Sequence, residues 1–155
     1  MLFAPLTKAH DRAAFDCGDE ALNHWFKQVA RQHRDKGISS IFVAVADAAS
    51  TEVFGYYSLS LTEFVNDALP TAQRKLMPQK VPAFRLGRLA VSLQHRGRQI
   101  GQHLLFDAID RATRAAKDVG GAGIVVNAKP TAVGFYRQYG FELMADHPHN
   151  LFLLI

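Results

Sequence analysis

Residues 84–119 read FRLGRLAVSLQHRGRQIGQHLLFDAIDRATRAAKDV: a strand, a Gly- and Arg-rich turn, then a long amphipathic helix. The turn Arg96-Gly97-Arg98-Gln99-Ile100-Gly101 opens that helix, where the first N–H groups have no carbonyl four residues back to bond. Those amides lie at the positive end of the helix dipole and suit a phosphate or pyrophosphate. Ile100, Leu104, Leu105, Ala108, Ala112, Ala115, Ala116 and Val119 form one stripe, which predicts that the helix packs against a sheet.

Downstream, Gly120-Gly121-Ala122-Gly123 stops the helix, and residues 124–128 read as a buried strand. Pro130 sits where helices begin, so residues 131–139 read as a short helix, with Gly140 beyond it and a strand over 141–144. The run 151–155 (LFLLI) does not alternate and reads as an internal strand. Upstream, residues 3–6 suit an edge strand that tolerates Pro5. Over residues 19–33, Leu22, Trp25, Phe26 and Val29 fall at helical spacing; Asp19 suits the N-cap and Gly37 lies past the end. Residues 40–46 and 53–61 read as hairpin partners. Residues 62–82, with Pro70, Pro78, Pro82 and a basic cluster, read as a loop around a short helix. The mixture predicts an α/β (α+β) fold.

With 155 residues, 48% hydrophobic and 21% charged, the chain is expected to form one domain over 1–155. No apolar run approaches ~18 residues, so no membrane partner is expected. The start MLFAPLTKAHDR lacks the pattern of a secretion signal. The single cysteine, Cys17, fits a reducing, cytoplasmic setting and reads as a packing residue. A formal net charge of +4 leans toward acidic partners without naming one. His147-Pro148-His149 lacks a third ligand, so no metal is expected.

No GxxxxGK[ST] string is present, and Gly120, Gly121 and Gly123 precede a strand rather than open a helix. The turn at 96–101, preceded by Leu89-Ala90-Val91, resembles the coenzyme A site of the GNAT N-acetyltransferase family. That family's pattern is Gln/Arg-x-x-Gly-x-Gly/Ala; here Gln99 replaces the middle glycine, and its Cβ must point away from the phosphates. Gly134-Phe135-Tyr136-Arg137-Gln138-Tyr139-Gly140-Phe141 resembles the family's Ala-x-x-Phe-Tyr-x-x-x-Gly-Phe segment. The stretch from Phe15 to Phe26 (FDCGDEALNHWF) is similar to the start of TacT-like acetyltransferase toxins, as are Gly55-Tyr56-Tyr57 and Leu86-Gly87-Arg88.

The resemblance implies a GNAT fold: a twisted mixed sheet splayed between its fourth and fifth strands, with helices on both faces. It implies acetyl-CoA as co-substrate, held by Leu89, Ala90, Val91, Arg96, Gly97, Arg98, Gln99, Ile100, Gly101 and Gln102, with Arg96 and Arg98 as counter-charge. It implies Tyr136 as the acid toward the thioester sulfur; the spacing of Ala132, Phe135, Tyr136 and Tyr139 equally suits a core position. Asn127 either contacts the cofactor or is a locally satisfied strand-end amide. No carboxylate stands out as a base; Glu63, Asp67 and Glu142 are candidates only by type.

The narrower likeness implies acetylation of the α-amine of aminoacyl-tRNA, a ribbon-helix-helix antitoxin as partner, and a homodimer. Arg31, Arg34, Lys36, Arg74, Lys75, Lys80 and Arg85 are the candidates for the tRNA backbone. A housekeeping acetyltransferase for a small amine or protein N-terminus, and a non-catalytic binding module, stand as alternatives.

Overall fold

The computed structural model describes residues 1–155. Its strands are β1 (Leu2–Pro5), β2 (Ser40–Val45), β3 (Gly55–Val65), β4 (Lys80–Val91), β5 (Gly123–Asn127), β6 (Glu142–Leu143) and β7 (Asn150–Leu154). Its helices are α1 (Glu20–Gln28), α2 (Ala30–Asp35), α3 (Thr71–Arg74), α4 (Ile100–Val119) and α5 (Val133–Gln138). The strands form one mixed sheet in the order β1-β2-β3-β4-β5-β7-β6. No helix is long and apolar enough to cross a membrane. The chain packs as two compact units, residues 1–60 with 87–108 and residues 61–86 with 109–155.

In the first unit, β1, β2 and the start of β3 form an antiparallel ladder, with β1 at the edge where Pro5 is tolerated. Asp19 caps α1, its carboxylate accepting the Leu22 N–H at 3.1 Å. The single helix expected over 19–33 is instead two, interrupted at Val29, whose φ of −119° is wider than a regular helix turn while its ψ of −37° stays helical. The Val29 amide still bonds the Trp25 carbonyl at 2.9 Å, so the interruption does not strand that donor. The apolar face of α1 closes a core of Leu6, Phe15, Trp25, Phe26, Ile41, Val43 and Tyr56. Burying each such side chain contributes about 1.5–3 kcal/mol. Gly55 is required here: a Cβ would stand 2.7 Å from the Ala90 carbonyl oxygen.

In the second unit, β5 pairs antiparallel with β7, which is internal as its unbroken apolar run predicts. A core of Leu69, Val81, Ala83, Val125, Met144 and Phe152 lies beneath. Three strands depart most from the sequence expectation. β3 continues to Val65 rather than ending near 61, because its burial keeps the period-two alternation from Ser60 onward. β4 starts at Lys80 and runs through Pro82, which precedes the first β5 pair, so its missing N–H costs that ladder nothing. The strand expected over 141–144 shrinks to Glu142–Leu143.

Two features position the site. The parallel β4–β5 pairing covers only Phe84↔Ile124, Arg85↔Val125 and Leu86↔Val126. β5 ends at Asn127, and β4 continues to Val91 beyond the last β4–β5 pair, Leu86↔Val126. The second feature is α4, which buries Ile100, Leu104, Leu105, Ala108 and Ala112; the stripe stops short of Val119, which is exposed.

Candidate active site

From Val91 the chain passes through Ser92, whose amide bonds the Phe54 carbonyl at 2.8 Å, and a 3-10 turn at Leu93–His95. Gly97 then takes φ 79° and Gln99 φ 59°, left-handed conformations on either side of Arg98. The first helix-type bond is from the His103 amide to the Gln99 carbonyl at 3.2 Å. The amides of Gly97, Arg98, Gln99, Ile100, Gly101 and Gln102 donate to no acceptor in the chain. A left-handed residue followed by helical ones, as Gln99 before α4, turns successive N–H groups toward one concavity, the arrangement that cradles phosphates. Gln99 is the only non-glycine residue at positive φ, and its side chain is exposed, as the replaced motif glycine predicts. The conformation costs a side-chain-bearing residue about 1–2 kcal/mol.

The segment around Asp16–Asn23 braces this turn. The Asp16 carbonyl accepts the Leu93 amide at 2.9 Å, and the Arg96 guanidinium donates to the Cys17 carbonyl at 3.0 Å. The Asp16 carboxylate takes the Gly18 amide and the Asn23 side-chain amide, both at 2.9 Å; buried Asn23 in turn accepts the Cys17 amide at 2.9 Å. The Gly18 amide, then Asn23, hold the Asp16 carboxyl below the usual carboxylate range, with Lys27 and Arg96 adding to the effect. Cys17 is buried, as a packing residue should be.

The two arginines expected as counter-charge are both engaged within the chain. Arg96 holds Cys17, and Arg98 donates to His95 Nδ1 at 2.6 Å while lying 5.3 Å from the Phe54 ring centroid. His95 Nε2 meets Glu52 at 2.9 Å, so the imidazole links Glu52 to Arg98. Glu52 and His95 lie 43 residues apart, and no local pattern in the chain pointed to their pairing.

In the second unit, Tyr136 is 6% exposed on α5, its ring edge-on to Phe135 and Phe141 at 5.2 and 5.5 Å. Its hydroxyl has no hydrogen-bond partner in the chain, and burial pushes the phenol up to about 12. It is therefore a neutral O–H donor at physiological pH. Asn127 donates to the Asn150 side chain at 2.6 Å, so that nitrogen is satisfied locally.

The basic candidates fall into two kinds. Arg34 bonds the Leu6 carbonyl and Asp35, Arg31 lies 3.8 Å from Asp35, Arg74 donates to the Asp67 and Leu69 carbonyls at 3.0 and 3.1 Å, and Arg85 to Thr62 at 3.3 Å. Lys36, Lys75 and Lys80 are exposed with no side-chain partner. Of the carboxylates considered as bases, Glu142 is exposed and accepts from Gln73 at 3.3 Å.

An acetyltransferase (GNAT) domain model matches residues 13–150. The chain belongs to the GNAT acetyltransferase family. It is 34% identical over 151 residues to a tRNA-acetylating toxin of Mycobacterium tuberculosis (strain ATCC 25618 / H37Rv), covering 97% of this chain and 89% of that protein. A mutant of KacT superposes with a TM-score of 0.93 at 30% identity, covering 99% of this chain and 94% of KacT. AtaT complexed with acetyl-methionyl-tRNAfMet superposes with a TM-score of 0.89 at 32% identity, covering 99% and 94%. A mutant of AtaT has also been solved with acetyl-CoA and the C-terminus of the antitoxin AtaR.

Proposed function

We propose that this acetyltransferase moves an acetyl group from acetyl-CoA to the α-amine of an aminoacyl-tRNA, blocking translation. It acts in this reading as the toxin of a toxin–antitoxin pair, neutralised by a ribbon-helix-helix partner, and works in the cytoplasm as a homodimer. A single acetyltransferase domain over residues 1–155 is part of this reading; the family match over 13–150, which takes in residues of both compact units, supports it. The observation that carries the reading is the 34% identity to a tRNA-acetylating toxin over 97% of the chain.

The residues fit acetyl-CoA. Six turn amides without acceptors suit a diphosphate, and the end of β4 at Leu89–Val91, free of β5, suits the pantetheine amides as an added strand. Acetyl-CoA, when bound, supplies the acetyl group as a thioester with a thiolate leaving group. Tyr136 serves that sulfur as a hydrogen-bond donor. Full proton transfer from a phenol at about 12 to a thiolate at about 8.5 runs uphill by about 5 kcal/mol, so the O–H stabilises developing charge rather than giving up its proton early. The acceptor needs little help in losing its own proton, because free α-amines titrate near ~7.7–8.0. That agrees with a chain in which no carboxylate is set up as a base. Lys36, Lys75 and Lys80 are the cations best placed to meet a polyanion, having no partner of their own.

The test is direct. Charged tRNA, free amino acids and peptides are each incubated with acetyl-CoA and the protein, the tRNA is digested, and products are weighed by mass spectrometry. N-acetylated aminoacyl-adenosine is the expected product. Acetylation confined to free amino acids or peptide N-termini would replace this reading with a housekeeping one.

A further inference from the structure

The site described above leaves the placement of Arg88 unexplained. Arg88 lies on β4 two residues before Ala90, a member of the Trp25–Tyr56 core, and so shares that residue's face. Its guanidinium carbon sits 4.1 Å from the centroid of the Trp25 ring. Trp25 stacks on Tyr56 (6.0 Å, 15°), and Tyr56 stacks on Phe26 (4.3 Å, 9°), so the guanidinium rests on a pile of three nearly parallel rings. The pile is rigid: Phe26 and Tyr56 are fully buried, and the Tyr56 hydroxyl is tied to the Leu22 carbonyl at 2.8 Å. The head group is thus held in place.

What it lacks is a partner. Arg88 is half-buried, and burial lowers its pKa, yet no carboxylate pairs with it and none of its N–H groups meets an acceptor in the chain. A cation–π contact offsets part of the desolvation, ~0.5–2 kcal/mol, but it satisfies none of the five donors. A solvated head on a packed stem is the ordinary alternative. Against it stand the rigidity of the mount and its position, in the same β5-free segment of β4 as Leu89–Val91.

We propose that Arg88 is a substrate-binding residue that seats a phosphodiester of the acceptor's single-stranded 3′ end. This rests on aminoacyl-tRNA being the acceptor. A planar guanidinium fork matches two phosphate oxygens, and an orientation fixed beforehand lowers the entropy lost on binding. The Trp25 pile supplies that orientation, and no internal carboxylate competes for the fork.

Two readings of the Arg88→Met variant test this, since methionine keeps the stem's packing on Trp25 and removes the charge. The first is the ratio of kcat/KM on charged tRNA to kcat/KM on an aminoacyl ester of adenosine lacking phosphate; the ratio falls about tenfold or more, the worth of one hydrogen-bonded charge contact. The second is equilibrium binding of deacylated tRNA to the cofactor-free protein. Binding weakens by a similar factor, and the slope of log K against log salt becomes shallower by about 0.7, one single-strand phosphate. Arg88→Lys, which keeps charge but loses the fork, falls between. An unchanged ratio with unchanged tRNA binding overturns the proposal, as does equal loss on both acceptors with a lowered melting temperature. A variant that binds tRNA normally but loses the antitoxin also overturns it, in favour of a peptide carboxylate. Should the wild-type protein bind tRNA yet acetylate other amines, the acceptor reading fails while the binding arm still judges Arg88.

Discussion

Replacing Gln99 with glycine changes the backbone energetics of the phosphate turn without removing any of its amides. Gln99 holds φ at 59°, where a Cβ costs about 1–2 kcal/mol. Glycine removes that cost but adds about 0.5–1 kcal/mol of unfolded-state freedom. The net expectation is a gain of about 0.5–1 kcal/mol, or roughly 1–4 °C in melting temperature for a chain of this size. Gly97→Ala supplies the mirror experiment. Gly97 has φ 79°, and a Cβ added there would meet nothing within 4 Å, so the whole effect of alanine is torsional. A loss of about 0.5–1 kcal/mol is expected after the entropic gain from alanine is counted. Both variants are melted by differential scanning calorimetry, alone and with saturating acetyl-CoA. Gln99→Gly should keep its advantage in both conditions, because the amides it presents are unchanged. A lower melting temperature for Gln99→Gly, or a higher one for Gly97→Ala, would refute the left-handed turn and with it the phosphate cradle.

Tyr136→Phe should lower kcat by about 10²–10³-fold, the worth of one donor to developing charge, while acetyl-CoA still raises the melting temperature; undiminished turnover would return Tyr136 to a packing role. The same variant has an alkaline signature. A buried phenol at about 12, against ~10 unfolded, leaves stability intact below pH 10 and removes up to about 2–3 kcal/mol as pH rises to 12. Urea titrations across that window should show wild type losing more than Tyr136→Phe. At the acid end, the depressed Asp16 carboxyl stabilises the fold above the ordinary carboxylate range, and that stabilisation is lost as pH falls through its own pKa. Asp16→Asn should therefore melt below wild type at neutral pH, with the gap closing in acid; a gap independent of pH would show that the carboxylate's charge is irrelevant to the brace.

The strand–turn–helix at 84–119 was legible because each part carries a local signal: alternation, a glycine turn and a 3.6-residue stripe. The internal place of β7 was legible for the same reason, since an unbroken apolar run suits a strand covered on both faces. The interruption at Val29 was not, because no glycine or proline marks it. The extension of β4 through Pro82 was hidden by a residue that usually ends strands and here only precedes the paired register. Within the site, backbone amides could be assigned from the motif, while side-chain destinations could not. Arg96 and Arg98 read as free cations in sequence, yet one is engaged by the Cys17 carbonyl and the other by His95, contacts 79 and 3 residues away. The Arg88 mount is illegible for a related reason, as it depends on three rings brought together from α1 and β3.

Amide hydrogen exchange of the protein with and without acetyl-CoA probes the account most directly. Added protection at Gly97–Gln102 and along Leu89–Val91, the segments that face the cofactor in this account, is the predicted result. Protection that spares both segments while acetyl-CoA demonstrably binds would contradict it.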